Sequence, residues 1–296
     1  MNLHQLLIRI PILLVLALLI PAESLFAQLE RRLAETDGPV ELTFLAPRNI
    51  NIQTVEGLAR GELHLSILHN FGEVSTGIEN FWGLDSGANV RISLEYGFSD
   101  HVSLGIGRTR VNKFVDLTGR IALLKQTKSN SVPVSISILP SLGINTTNYQ
   151  FLQQNYTFQD RLAYAVSLPV AHKFNEKLSL QISPMAAYFS RTGPELNIAD
   201  PENDFWYSAA FAGRYLVSNR TAVTFQYLPP LSDAEDLTYN FAIGIDIDTG
   251  GHVFQIFFST SPALNDHYLI ASPNGSFPDR EFRLGFNVNR LFSLVQ

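Results

Sequence analysis

In the stretch ANVRISLEYGFSDHVSLGIGRTR, residues 88–110, side chains alternate between apolar and polar at every step. Val90, Ile92, Leu94, Tyr96 and Phe98 share one parity; Asn89, Arg91, Ser93 and Glu95 share the other. After a small polar turn at Ser99 and Asp100 the pattern resumes with Val102, Leu104 and Ile106, opposed by Ser103, Gly105 and Gly107. A period of two sends successive side chains to opposite faces of a strand, so this is a pair of antiparallel strands, apolar on one side and charged on the other. The apolar face must meet either a protein core or lipid. Charges are costly in a core unless paired, whereas the middle of a membrane barrel holds them hydrated or cross-paired.

The connections decide between these environments. Alternating stretches recur at 60–69, 88–98, 101–111, 114–125, 132–144, 161–171, 177–190, 204–216, 220–228, 238–248, 251–260 and 280–291, twelve in all. Most have the length of a tilted membrane-crossing strand, roughly 9 to 11 residues or slightly more. Short links rich in Gly, Asn, Asp and Ser fall at every second junction, at 98–101, 126–131, 173–177, 217–220 and 248–251. The junctions between them are long, except the tight link at 112–113. A sandwich in water has no reason to sort loop lengths by parity. The pattern therefore predicts an all-β fold, an antiparallel up-and-down transmembrane β-barrel of about 12 strands with long extracellular loops and short periplasmic turns.

Composition agrees. Hydrophobic residues make up 46% and charged residues 16% of the 296-residue chain, against roughly 25% charged in soluble domains. A formal charge of −6 without any Lys/Arg run excludes nucleic acid as a partner. The absence of cysteine excludes disulfides, thiolate metal sites and a lipid-anchored N-terminal Cys. Residues 1–27 combine Arg9, the apolar run PILLVLALLIP and Ala27 before Gln28, the layout of a cleaved signal peptide. The expected organisation is therefore signal peptide at 1–27, a periplasmic N-terminal segment at 28–58 with a short helix at 29–35, and a barrel at 59–296 in the bacterial outer membrane. Outer-membrane lipid and the barrel-assembly machinery are its expected partners, with a small solute or an envelope protein as the functional one.

The runs HNFG (69–72), FWGLDSGANVR (81–91), EYGFSDHVSLGIGR (95–108) and LGFNVNRLFSLVQ (284–296) together resemble an uncharacterised, domain-of-unknown-function family of outer-membrane β-barrel proteins from Bacteroidota-type bacteria. The resemblance covers roughly residues 40–296. It implies the barrel fold and the outer-membrane location, and brings no reaction, cofactor or catalytic residue. The chain departs from the usual aromatic final residue of such barrels, ending at Gln296 with Phe292 the nearest aromatic.

No constellation predicts catalysis. There is no GxSxG elbow, and the carboxylates Glu79, Glu95, Asp85, Asp100 and Asp116 are dispersed along the chain. His64 and His69 lie five apart on a predicted strand and face opposite ways, so no metal site is expected; His101, His172 and His252 read as polar turn residues. The inward parity is more telling. Glu62, His64, Arg91, Glu95, Asp116, Arg120, Arg161, Gln181, Arg214, Asp246 and Arg283 are predicted to face the lumen, with both signs mixed. The loop carrying Phe81, Trp82 and Asp85 is expected either to fold inward as a constriction or to be displayed at the surface. These features predict no enzyme and no cofactor, but a passive channel or small-solute translocator. A closed-lumen structural or docking barrel is the alternative, and an outer-membrane hydrolase is a remote third.

Overall fold

The computed structural model describes residues 37–148, 157–232, 234 and 237–294. The signal peptide expected at 1–27, the cut expected before Gln28 and the helix expected at 29–35 lie outside the described residues. A short hairpin comes first, β1 (Arg48–Asn49) and β2 (Ile52–Gln53). The ring follows: β3 (Glu62–Glu73), β4 (Asn89–Ser99), β5 (Val102–Thr109), β6 (Phe114–Leu124), β7 (Ser135–Asn145), β8 (Leu162–Ser167), β9 (Val170–Lys173), β10 (Leu178–Phe189), β11 (Phe205–Ser218), β12 (Thr221–Leu228), β13 (Asn240–Asp248), β14 (His252–Ser259) and β15 (Arg283–Ser293). β8 and β9 are one crossing strand interrupted at Leu168 and Pro169, so the ring has twelve crossings. Pro169 has no N–H to give to a ladder, and its carbonyl accepts instead from the Ser137 N–H at 3.1 Å.

Each strand pairs with its sequence neighbour, and β15 closes on β3 with Phe286 opposite His69 and Val288 opposite Ile67. Closure leaves no open edge. The links β4–β5, β9–β10, β11–β12 and β13–β14 are tight, and their own side chains fix them. The Asn175 carboxamide oxygen accepts from the N–H groups of Lys177 and Leu178 at 2.9 and 3.0 Å, and Asp248 accepts from Gly250 at 2.7 Å, where φ is +84°. We call this rim the turn end and the opposite rim the loop end. The exceptional link between β5 and β6 is a tight turn at the loop end, made with positive φ at Asn112 and Lys113.

The two faces are inverted relative to a protein in water. Ile92 is 52% exposed while Arg91, its neighbour, is 3% exposed. Leu94, Leu104, Ile106, Ile243, Ile245, Ile256 and Phe258 continue the exposed apolar belt, and Asp116, Gln181, Gln226, Gln255 and Asn287 the buried polar interior. A belt of this extent exceeds what soluble monomers expose to water; it is the surface that lipid covers.

The lumen is filled. Residues 43–58, grouped by sequence with a periplasmic segment, run inside the ring from the turn end, so that Phe44, Ile50, Ile52 and Thr54 are buried. From the loop end the β14–β15 connection descends with α1 (Asp266–Leu269), every residue of which is buried. It packs beside Leu196, Ile198 and Ala199 of the β10–β11 connection, where the Ala199 N–H donates to the Ala271 carbonyl at 2.6 Å. Tyr268 of α1 wedges between Phe114 and Phe189, ring centroids 5.2 and 5.3 Å away.

Candidate functional site: an occupied lumen

The ring supplies two ion pairs that skip a strand. Arg91 on β4 reaches over β5 to the Asp116 carboxylate on β6, one contact being 2.8 Å. Glu95 on β4 receives Arg120 of β6 at 2.8 Å across the same strand. Such a reach needs an intervening strand without side-chain bulk, and β5 presents Ser103, Gly105 and Gly107 inward. A Cβ on Gly107 would fall on the Arg91 guanidinium. The GIGR run is thus room for arginine.

The hairpin is gripped by Arg120 and by further inward polar groups. Arg120 donates to the Thr54 carbonyl and, at 2.7 Å, to the Gln53 side chain. Gln181 accepts from the Val55 N–H at 3.1 Å and donates to the Gln53 carbonyl at 2.8 Å. Gln226 accepts from the Asn51 N–H at 3.0 Å, Gln255 donates to the Arg48 carbonyl at 3.1 Å, and Asn287 donates to the Ile50 carbonyl at 2.8 Å. These side chains provide the ladder that a two-residue hairpin cannot provide for itself. At the centre of the lumen Arg48 of β1 pairs with Asp266 of α1 at 3.3 Å, and Gln53 donates to the same carboxylate at 3.4 Å. The segment entering from one end and the loop entering from the other meet at that carboxylate.

The other lumen candidates have simpler surroundings. His64 is buried beside the hairpin. Asp246 accepts from Thr224 at 3.2 Å and Gln255 at 3.0 Å. Glu62 caps the Ala59 N–H at 2.7 Å at the turn end. Arg161 donates to the carbonyls of Asn145 and Thr147, and Arg283 pairs with Glu73, both at the loop end. Arg214 is buried on β11.

Phe81, Trp82 and Asp85 do not constrict the lumen. Their loop has positive φ at Phe81 and Trp82 and is held to the neighbouring strand connection by Val74 and Ser75 N–H groups donating to the carbonyls of Phe282 and Arg280, both at 2.9 Å. Phe81 and Trp82 are half exposed. The constriction comes instead from α1 and the segment 43–58. The lumen candidates read from the sequence did not include Arg48, Asp266, Gln226, Gln255 or Asn287, although Asn287 lies on the polar parity of its strand. Gln226 had a signal, since it sits between Phe225 and Tyr227 on the inward parity; Arg48 and Asp266 lie in segments without alternation.

The turn end opens into two cavities on either side of the 42–58 stem, about 730 and 450 Å³. The void beside the hairpin is about 20 Å³, and those near the loop end are about 10 Å³ each. Among the described residues no group of His, Asp and Glu is placed to hold a metal.

A family model described as a membrane bound beta barrel domain (DUF5777) matches residues 44–292. Among solved structures, the COG4313 outer membrane channel from Pseudomonas putida F1 is similar at 15% identity, covering 80% of this chain and 98% of that one, with a TM-score of 0.49. The NanC porin is similar at 8% identity, 79% and 100% coverage and a TM-score of 0.47. Omp33 of Acinetobacter baumannii is similar at 7% identity, 80% and 100% coverage and a TM-score of 0.44. No curated protein matches the chain.

Proposed function

This chain belongs to the DUF5777 family of membrane-bound β-barrel domains, and from that premise we propose that it is an outer-membrane channel for small solutes, shut at rest by its own residues 43–58. The observation that carries the reading is the division of labour among the lumen polar groups. Arg91–Asp116 and Arg120–Glu95 pair ring strand with ring strand, so they persist without the hairpin. Arg120 also donates to Thr54 and Gln53 of the hairpin but keeps its Glu95 partner on the ring, and the other ring groups that grip the hairpin, Gln181, Gln226, Gln255 and Asn287, are neutral amides. Water replaces such contacts at a net cost of only about 0.5–1.5 kcal/mol each.

Withdrawal of the stem toward the turn end, which the short turns assign to the periplasm, would leave a pore whose walls carry balanced charges and weak ion preference. Liposome swelling tests the reading: the variant lacking residues 43–58 should admit small sugars faster than the full chain. If neither admits them, the barrel does not conduct.

A second reading is favoured by one observation, the small size, about 20 Å³, of the void beside the hairpin. On it the lumen never opens, and the barrel presents its loops or stem to another envelope component. The two readings differ in that experiment. Neither involves catalysis.

A further inference from the structure

The larger turn-end cavity, about 730 Å³, falls within the usual size of small-molecule sites, and its lining includes the buried Arg214. This residue is 3% exposed, and its Nε makes no hydrogen bond. Among the described residues its guanidinium has neither a hydrogen bond nor an ion pair, although Arg48, Arg91, Arg120 and Arg283 each have a carboxylate. A buried cation left in this way is costly.

The acidic groups that act on Arg214 through space are Glu56 of the stem, Asp246 of β13 and Glu176 of the β9–β10 turn. Each is committed elsewhere. Glu56 accepts from the Phe44 N–H at 3.1 Å, Asp246 from Thr224 and Gln255, and Glu176 from Lys173 at 2.8 Å. The cavity mouth adds the exposed Lys128 and the Lys173 ammonium, and its sides include Leu42 and Phe174. The planar fork of an arginine matches two oxygens of one carboxylate or phosphate, and a lysine adds a point charge beside it.

We propose that this cavity binds a small organic anion, its carboxylate or phosphate received by Arg214 with Lys128 closing over it, and its apolar body lying against Leu42 and Phe174. The site stands on its own geometry whether or not the ring conducts.

Calorimetric titration of the full chain in detergent with hexyl phosphate, hexanoate and hexanol tests it. At least one of the two anions should bind roughly tenfold or more tightly than the alcohol. Arg214→Gln should remove that preference, and Glu56→Gln should keep or strengthen it. Equal binding of all three compounds, or an anion preference that survives Arg214→Gln, would overturn the proposal. If Arg214→Gln does not give a folded barrel, Lys128→Gln on the exposed turn replaces it: a weakening of roughly threefold is expected, and unchanged affinity overturns the assignment.

Discussion

Gly107 has no side chain, and the Arg91–Asp116 pair occupies the place where one would be. Gly107→Ala should therefore push the guanidinium off its carboxylate and leave buried charges unpaired, destabilising the barrel by about 3–5 kcal/mol; urea unfolding in lipid vesicles reads this directly. A change within a few tenths of a kcal/mol would mean that the pair is not formed. At the turn end, Asp37 receives Ser129 through its hydroxyl and its N–H, the latter at 2.9 Å, and the Ser131 hydroxyl at 2.9 Å. The Ser129 hydroxyl first, then its N–H, holds the Asp37 carboxyl below its ordinary value of 3.8. A lowered carboxyl contributes attachment that is fully present above 3.8 and is lost as pH falls through the lowered value. The stem near residue 37 should thus become sensitive to protease on acidification below that range, and Asp37→Asn should show the sensitivity at neutral pH. At this scale alternation made the inward set legible, Arg91, Glu95, Asp116 and Arg120 included. It did not make the pairs legible, because a partner two strands away depends on register and on what the strand between them lacks.

The hairpin β1–β2 turns at Ile50 with φ of +56°, a conformation unfavourable for a β-branched residue, and keeps it because Ile50 is fully enclosed by the ring. Because the chain has no cysteine, an Asn51→Cys, Gln226→Cys pair, placed where the Asn51 N–H meets the Gln226 side chain at 3.0 Å, can be joined by a bis-methanethiosulfonate crosslinker that reduction releases. The joined form should be silent in a swelling assay, and reduction should restore whatever uptake the full chain has; uptake undiminished in the joined form would separate the hairpin from the gate. All twelve crossing strands were legible as alternating stretches, since each has a wet side and a greasy side. Segment 43–58 and α1 have no such division: they are surrounded by protein on all sides, so no period marks them. The loop of Phe81 and Trp82 stayed open between an inward constriction and surface display, because the positive φ at both residues leaves no trace in hydropathy.

As a whole the molecule is a membrane cylinder carrying a belt of exposed Leu, Ile and Phe, with its middle closed by two pieces of its own chain that meet at Asp266. The ring's hydrogen-bonded closure through β15 and β3 and the Arg91–Asp116 pair do not involve the hairpin, and Arg120 retains Glu95 when its Thr54 and Gln53 contacts are lost, so the cylinder is expected to survive its removal. Arg48→Ala should uncouple the two pieces, and an increase in rare brief openings is expected without loss of the folded ring. Planar-bilayer recording of the full chain beside the variant lacking residues 43–58 bears most directly on the account. Stepwise conductance is expected from the shortened chain, with a mostly silent full chain; two equally silent proteins, each shown to be folded, would contradict it.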